Sequence, residues 1–341
     1  MLQEEDLHRN FPSGAQAELL QVITSENVAQ SWASWQKRYS LQDEEIYRLI
    51  PALYFRLQEE GVEGGSYLRG IVQHCYAVSA VQQQVAAEMV SKLAAAGIDT
   101  LALKGLAMSL HLGYAPRHMS DVDLLIPFDR INDALDIVLG AGWVPDLNVN
   151  GFDLKKAPHK VHGWGFRRGG MQFDLHWRSV HQDQSATFDG CMWDSSIQKG
   201  AFRVPSKTLL MFQILLHGIR QFSKALVWTA DLHSMTKVPG QIEWEVLFLL
   251  AMERRLLVQF FVLIEALRPY MSVPTWRDIQ VVTQLEVDEH RGITTRNPTR
   301  TEALAVKTLS SCRRAINGRI LPSSFFSPSF FRMRRRPPTV E

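Results

Sequence analysis

The sequence has little that would announce a partner or a compartment. Only three cysteines occur in 341 residues, Cys75, Cys191 and Cys312. They lie far apart, with no Cys-x-x-Cys pair and no Cys/His ligand spacing, which argues against a disulfide framework and against a zinc site. A surplus of one charge is also missing: 37 Lys and Arg stand against 35 Asp and Glu, a formal charge of +2. Composition therefore supplies no basic stripe for tracking a polynucleotide, and a nucleic-acid partner is disfavoured. The longest apolar stretches, around 246–252 and 256–267, are short or broken by Gln259 and Glu265, so neither reads as a membrane span. The first ten residues are acidic and polar, unlike the basic start and apolar run of a secretory leader. A soluble cytoplasmic protein is the expectation, and no repeat of fixed period stands out.

What is present is a core and a change of grammar along the chain. The 46% of hydrophobic residues is enough for a full interior. Apolar residues recur at helical spacing over 43–60, with Pro51 predicting a kink or break, and over 66–96, stopped by Gly97. From Thr100 the pattern shortens into strand, helix, strand, helix: the apolar run TLAL ends in Lys104-Gly105, a helix is expected over 106–112, DVDLLI reads as a strand closed by Pro127, and 132–139 as an amphipathic helix. Residues 160–167 and 171–177 flank Arg168-Gly169-Gly170 and predict a β-hairpin. The result is a small sheet of about four strands. After Phe188 the chain reads as helical, with Ser206 as an N-cap for 209–220, then 225–235, 243–267 and a weaker helix over 301–316.

The chemistry concentrates in Arg117-His118-Met119-Ser120-Asp121-Val122-Asp123. Side chains alternate across a strand, so Asp121 and Asp123 share one face while Val122, Leu124 and Ile126 face the core. Two carboxylates held side by side repel unless a divalent cation sits between them, and Mg²⁺ takes one or two carboxylates together with substrate phosphates. The alternative is a pair of solvated aspartates at the mouth of a buried strand. Upstream, Lys104-Gly105 offers a point charge and a glycine turn at which backbone N–H groups approach a phosphate. Downstream, Asp174 and His176 lie on the polar face of a strand that starts just after a turn, and Asp174 adds a third carboxylate.

The runs LALKG, HLGYAPRHMSDVDLLI, FDLHW, LLHG and WTADL resemble the bacterial nucleotidyltransferase-like family of the DNA polymerase β-like nucleotidyltransferase superfamily, over roughly residues 40 to 235. The superfamily pattern is a Gly-Gly or Gly-Ser turn after the first strand, Asp-x-Asp or Asp-x-Glu on the second, and a third carboxylate on a later strand. Gly105, Asp121, Asp123 and Asp174 match these roles. Lys104-Gly105-Leu106 lacks the serine that commonly binds the terminal phosphates and follows the Lys-Gly form of the narrower family.

The resemblance implies an α+β fold, a small mixed β-sheet core flanked by helical regions. The expected division is an N-terminal helical region 1–97, a catalytic core 98–182, a C-terminal helical region 183–320 and a basic aromatic tail 321–341. It implies two-metal transfer of a nucleoside monophosphate from an NTP such as ATP to a hydroxyl or similar group of a small-molecule or peptide acceptor, with release of pyrophosphate. Asp121, Asp123 and Asp174 would hold Mg²⁺, with Mn²⁺ as a substitute, and Asp174 would also accept the acceptor's proton. Lys104, Gly105, Arg117 and Ser120 would contact nucleotide or phosphate. For Asp174 the other reading is a surface aspartate on a hairpin, for Lys104 a strand-end lysine in solvent, and for Arg117 an ion pair to Asp121. Tyr114, His176 and Asp231 are pocket candidates, with packing, a sheet hydrogen bond and a cap or ion pair as their respective alternatives. His217 reads as a core histidine. The tail's Phe325, Phe326, Phe330 and Phe331 beside four arginines either dock on the protein or meet an anionic surface. Two rival functions are a glycosyltransferase that holds a nucleotide-sugar through Asp-x-Asp, and a family member that binds nucleotide or a partner without turnover.

Overall fold

The computed structural model describes residues 14–41, 44–119, 121–146, 155, 161–180, 186–220, 225–254, 256, 260, 264 and 267–273. Helices α1 (Gly14–Thr24) and α2 (Val28–Gln36) open it. The Asn27 side chain caps α2 by accepting from Gln30 N, and Trp32 and Trp35 stack at 5.5 Å on its buried side. The predicted break at Pro51 occurs: α3 (Glu44–Tyr47) stops, and α4 (Ile50–Glu59) restarts with the proline in its first turn, where no N–H is needed.

Helix α5 (Gly65–Ala95) runs for 31 residues. Its buried positions are Leu68, Val72, Cys75, Ser79, Gln82, Ala86, Met89 and Leu93, an alternation of four and three that keeps one seam against the core while the rest faces solvent. A Schellman turn ends it: Gly97, at φ +68°, donates to Ala94 O, and Ile98 N reaches back to Leu93 O. Gln82 matters downstream, because its buried Nε2 donates to Met119 O at 3.0 Å and pins the segment that enters the second strand.

The sheet has five strands in the order β1-β2-β5-β4-β3. These are β1 (Leu101–Ala102), β2 (Val122–Leu125), β3 (Val144–Pro145), β4 (Gly163–Arg168) and β5 (Met171–His176). The pair β2–β5 is parallel and every other pair antiparallel. The expected hairpin is present: Gly169 and Gly170, at φ +55° and +80°, form the two-residue turn between β4 and β5, where both positions need positive φ. Helix α6 (Lys104–Leu112) follows β1, and α7 (Ile131–Gly140) follows β2, burying Ile131, Ala134, Leu135 and Val138.

Three expectations are corrected here. Strand β2 is buried at all four positions, so it shows no polar face; it is an inner strand, and even its aspartate is enclosed. The short β3 joins the sheet as a fifth strand. The region after Phe188 is not wholly helical: α8 (Ala186–Asp194) is followed by a hairpin, β6 (Ile197–Lys199) and β7 (Phe202–Val204), turning at Gly200 with φ +59°. Strands of two or three residues are too short for a period-two pattern to register.

Helix α9 (Lys207–Arg220) then packs on α6. Ser206 caps it through Oγ to Leu209 N, as expected. His217 is exposed rather than buried in the core, just past a stretch, 207–216, that is buried at every position. Helix α10 (Ala225–Thr236) completes this body, which spans 14–220 and 226–242. A second compact unit holds α11 (Trp244–Glu253) and the described residues after it. The expected helix over 301–316 and the aromatic-arginine tail lie outside the described residues. No described helix is long and apolar enough to cross a membrane.

Candidate active site

The site is built where β1 hands the chain to α6, beside β2 and β5. Leu103 is extended, and its N–H donates to Asp123 O at 3.0 Å. Lys104 then adopts φ +46°, which turns the chain into α6 two residues earlier than the apolar pattern suggested. Its N–H donates to Gln213 Oε1 on α9 at 3.3 Å, and Gln213 Nε2 donates to Ser179 O at 3.0 Å. Ser179 in turn gives both N–H and Oγ to Asp189 Oδ1. One amide side chain thus fastens the first turn of α6 to the segment after β5.

Asp123 and Asp174 are directly paired across the parallel β2–β5 ladder. Asp123 is 3% exposed and its Oδ1 accepts two hydrogen bonds, from Lys104 Nζ at 2.5 Å and from His176 Nε2 at 2.7 Å. Burial by itself would raise the Asp123 pKa, but the lysine charge and the histidine hydrogen bond overcome it and hold the carboxyl well below the usual carboxylate range. Burial likewise works against the Lys104 charge, and Asp123 more than offsets it, so the lysine pKa is raised. Asp174 goes the other way. Burial, then the charge of Asp123, pushes it up to about 6, and its buried Oδ1 has no hydrogen-bond partner among the described residues.

The structure brings Asp123, Asp174 and His176 together, with one ligand atom of each within 4.8 Å of the others. Asp121 stands half-buried just before β2, near enough for its charge to act on Lys104, Arg117 and Asp174. An ionised buried carboxylate, a second with an unserved oxygen and an imidazole make a donor set suited to a divalent cation, with the nitrogen widening the choice beyond Mg²⁺ towards Mn²⁺.

Lys104 is neither a solvent-facing strand end nor free, since its ammonium rests on Asp123. Arg117 forms an ion pair, but with Asp231 of α10 rather than Asp121: Nε lies 3.0 Å from both carboxylate oxygens, and Nη1 donates to His118 O. Asp231 is 6% exposed; burial raises its pKa against the pull of Arg117. Burial also opposes the charge on Arg117, and Asp231 outweighs it, so the guanidinium stays protonated. Gly105 is buried at the start of α6, where an added Cβ would lie 3.2 Å from Met119 Sδ and 3.4 Å from Arg117 Nη2. The Tyr114 ring packs on Phe55 at 4.2 Å. Ser120 lies outside the described residues.

Sequence reasoning missed two glycines. Gly163 and Gly165 on β4 sit directly opposite His176 and Asp174. A Cβ at Gly163 would come within 2.7 Å of both His176 Nδ1 and Leu175 O, and one at Gly165 within 3.0 Å of Asp174 Oδ1. Their visible signal was Gly-Trp-Gly inside a strand, a spacing that puts both on one face. Gln213, the clamp on Lys104, carried no signal, because a lone glutamine in an apolar helix does not reveal its partners.

No curated protein matches the chain. Among solved structures, it resembles the antibiotic-resistance factor ANT(2'')-Ia with 15% identity and a TM-score of 0.38, over 52% of this chain and 95% of that one. It also resembles an antigenic nucleotidyltransferase-like protein from Paracoccidioides brasiliensis, with 17% identity and a TM-score of 0.34, over 56% and 94%. A family model described as uncharacterised nucleotidyltransferase matches residues 33–271, most of the chain and all of the site built above. The chain belongs to that nucleotidyltransferase family.

Proposed function

We propose that this protein transfers a nucleoside monophosphate from an NTP to a hydroxyl or similar group of a small-molecule or peptide acceptor, with release of pyrophosphate. The observation that carries the reading is the in-register pair Asp123–Asp174 with His176 bonded to Asp123 Oδ1, in a chain of this family. Asp123, Asp174 and Asp121 would hold Mg²⁺ or Mn²⁺, with His176 as a further donor. When bound, the metal supplies charge neutralisation at the phosphates and lowers the pKa of an acceptor hydroxyl. Asp174, with a carboxyl near 6, is ionised at neutral pH and suited to take the acceptor's proton. The N-terminus of α6, with Lys104 and Gly105, offers N–H groups and a point charge to phosphate. Arg117, locked to Asp231, positions the segment before β2. We place the catalytic core at 98–182, with the flanking helices of the same compact body shaping the acceptor site.

The test incubates the protein with each NTP, Mg²⁺ and a metabolite extract, and follows pyrophosphate and mass gain by mass spectrometry. Pyrophosphate with a nucleotidyl mass gain, lost in Asp121→Asn and Asp174→Asn, is the expected result. Release of nucleoside diphosphate instead would point to glycosyl transfer, and equal activity in both variants would remove the carboxylates from the mechanism.

A further inference from the structure

The acidic centre is served unevenly. Asp123 Oδ1 accepts from both Lys104 and His176, while Asp174 Oδ1 on the adjacent strand accepts from nothing among the described residues. The lysine is kept there against a backbone preference. Among the described residues it is the one non-glycine with positive φ, at +46°, a conformation that glycine adopts without strain. The strain is held in place: Gln213 accepts the Lys104 N–H and anchors itself on Ser179 O. A side chain retained where the backbone favours glycine contributes through that side chain. Here the side chain ends on the carboxylate oxygen that a cation would seek.

We propose that Lys104 is a resident counter-cation of the acidic centre, occupying Asp123 Oδ1 in the ion-free protein and yielding that oxygen to a divalent cation. The inference rests on Asp123, Asp174 and His176 being the metal site. Lysine suits the task, because it is a compact point charge on a flexible stem whose Nζ can swing away while the backbone stays clamped. The ammonium keeps two neighbouring carboxylates compatible with a folded interior before the cation arrives. It also competes with the cation, so the wild-type centre binds metal alone less tightly than its carboxylates would without it. Once displaced, the ammonium stands beside the centre as a charge for an incoming phosphate.

The experiment measures binding of Mn²⁺ alone to the full chain by calorimetry, with thermal unfolding in EDTA and in Mn²⁺ as a second readout. Lys104→Met and Lys104→Gly remove the cation, and the glycine variant also relieves the backbone. Lys104→Arg keeps the charge, and Asp174→Asn identifies the site. Both neutral variants should bind Mn²⁺ about tenfold tighter or more, the loss of one charged hydrogen bond to the metal's own ligand. They should also melt lower than wild type in EDTA and gain more from Mn²⁺, while Lys104→Arg stays near wild type. Neutral variants that bind Mn²⁺ no tighter than a wild type whose binding requires Asp174 would overturn the counter-cation and leave the metal site standing. No Mn²⁺ binding in any form, or binding indifferent to Asp174→Asn, would overturn both.

Discussion

Replacing Asp174 with asparagine should make the ion-free protein more stable. In the folded chain burial and the Asp123 charge push the Asp174 carboxyl up to about 6 from an ordinary 3.8, whereas in the unfolded chain it ionises near the ordinary value. Folding therefore binds the Asp174 proton more tightly. The stability this group contributes is fully present below about pH 4 and is lost as pH rises through about 6. A shift of about 2 units corresponds to about 3 kcal/mol. Because Asp174 is only half-buried, solvent screening brings this to about 1–2 kcal/mol. At neutral pH that is a gain of about 2 °C in Tm for Asp174→Asn in EDTA. The assay is thermal unfolding of both proteins in EDTA from pH 5 to pH 8, repeated with Mn²⁺. The gap between variant and wild type should open as pH rises and close or reverse with Mn²⁺, which stabilises only the protein that keeps the carboxylate. A variant that melts at or below wild type at pH 8 in EDTA, or a gap independent of pH, would refute the account of Asp174.

The cross-strand glycines should separate into two kinds. Gly163→Ala drives a Cβ to 2.7 Å from the backbone oxygen of Leu175 and should cost about 2 kcal/mol in urea unfolding. Gly165→Ala presses at 3.0 Å on Asp174 Oδ1 and should weaken Mn²⁺ binding with a smaller stability loss; wild-type behaviour in both would mean that β4 does not approach these side chains. Arg117→Met strands the buried Asp231 and should lose about 3 kcal/mol, most of it recovered in Arg117→Met/Asp231→Leu. A double variant as unstable as the single one would show that the guanidinium does more than neutralise Asp231. Gln213→Leu leaves the Lys104 N–H and the Ser179 carbonyl without their partner. It should lower stability by about 2 kcal/mol by denaturant titration, and a neutral outcome would remove the clamp on the α6 turn.

What the sequence disclosed follows from the range of each signal. Helical periodicity over 31 residues and a Gly-Gly turn between two strands are local patterns, so α5 was legible nearly to the residue, as were the hairpin's turn and β5, while β4 starts at Gly163, later than the expected 160. The pairing of Asp123 with Asp174 is not local. The resemblance to a known family pointed to three carboxylates in one sheet, but alternation along β2 put Asp121 and Asp123 forward as the close couple. The parallel register with β5 also sets Asp123 against Asp174 and places His176 on Asp123 Oδ1. Charge partners were the least visible feature, because they are chosen by packing between distant segments. Arg117 reaches across 114 residues to Asp231 rather than four to Asp121, and Gln213 finds Lys104 from 109 residues away.

The same partners explain why the centre tolerates its own charge. Asp123 and Asp174 lie side by side in a sheet with a single lysine on one of them, so with both ionised they carry one negative charge more than Lys104 neutralises. In a poorly solvated place that excess has to be met. In the ion-free protein that excess falls on Asp174, where a proton meets it only below about pH 6, and Asp174 rather than Asp123 is the carboxyl pushed up to about 6 because the lysine and the histidine have already committed Asp123 to its ionised form. A divalent cation meets the excess without the proton and leaves Lys104 surplus to the pair. Proton, lysine and cation are thus alternative solutions to one local imbalance, and the position of Lys104 in the left-handed turn at the head of α6 is what keeps all three within reach of the same two carboxylates.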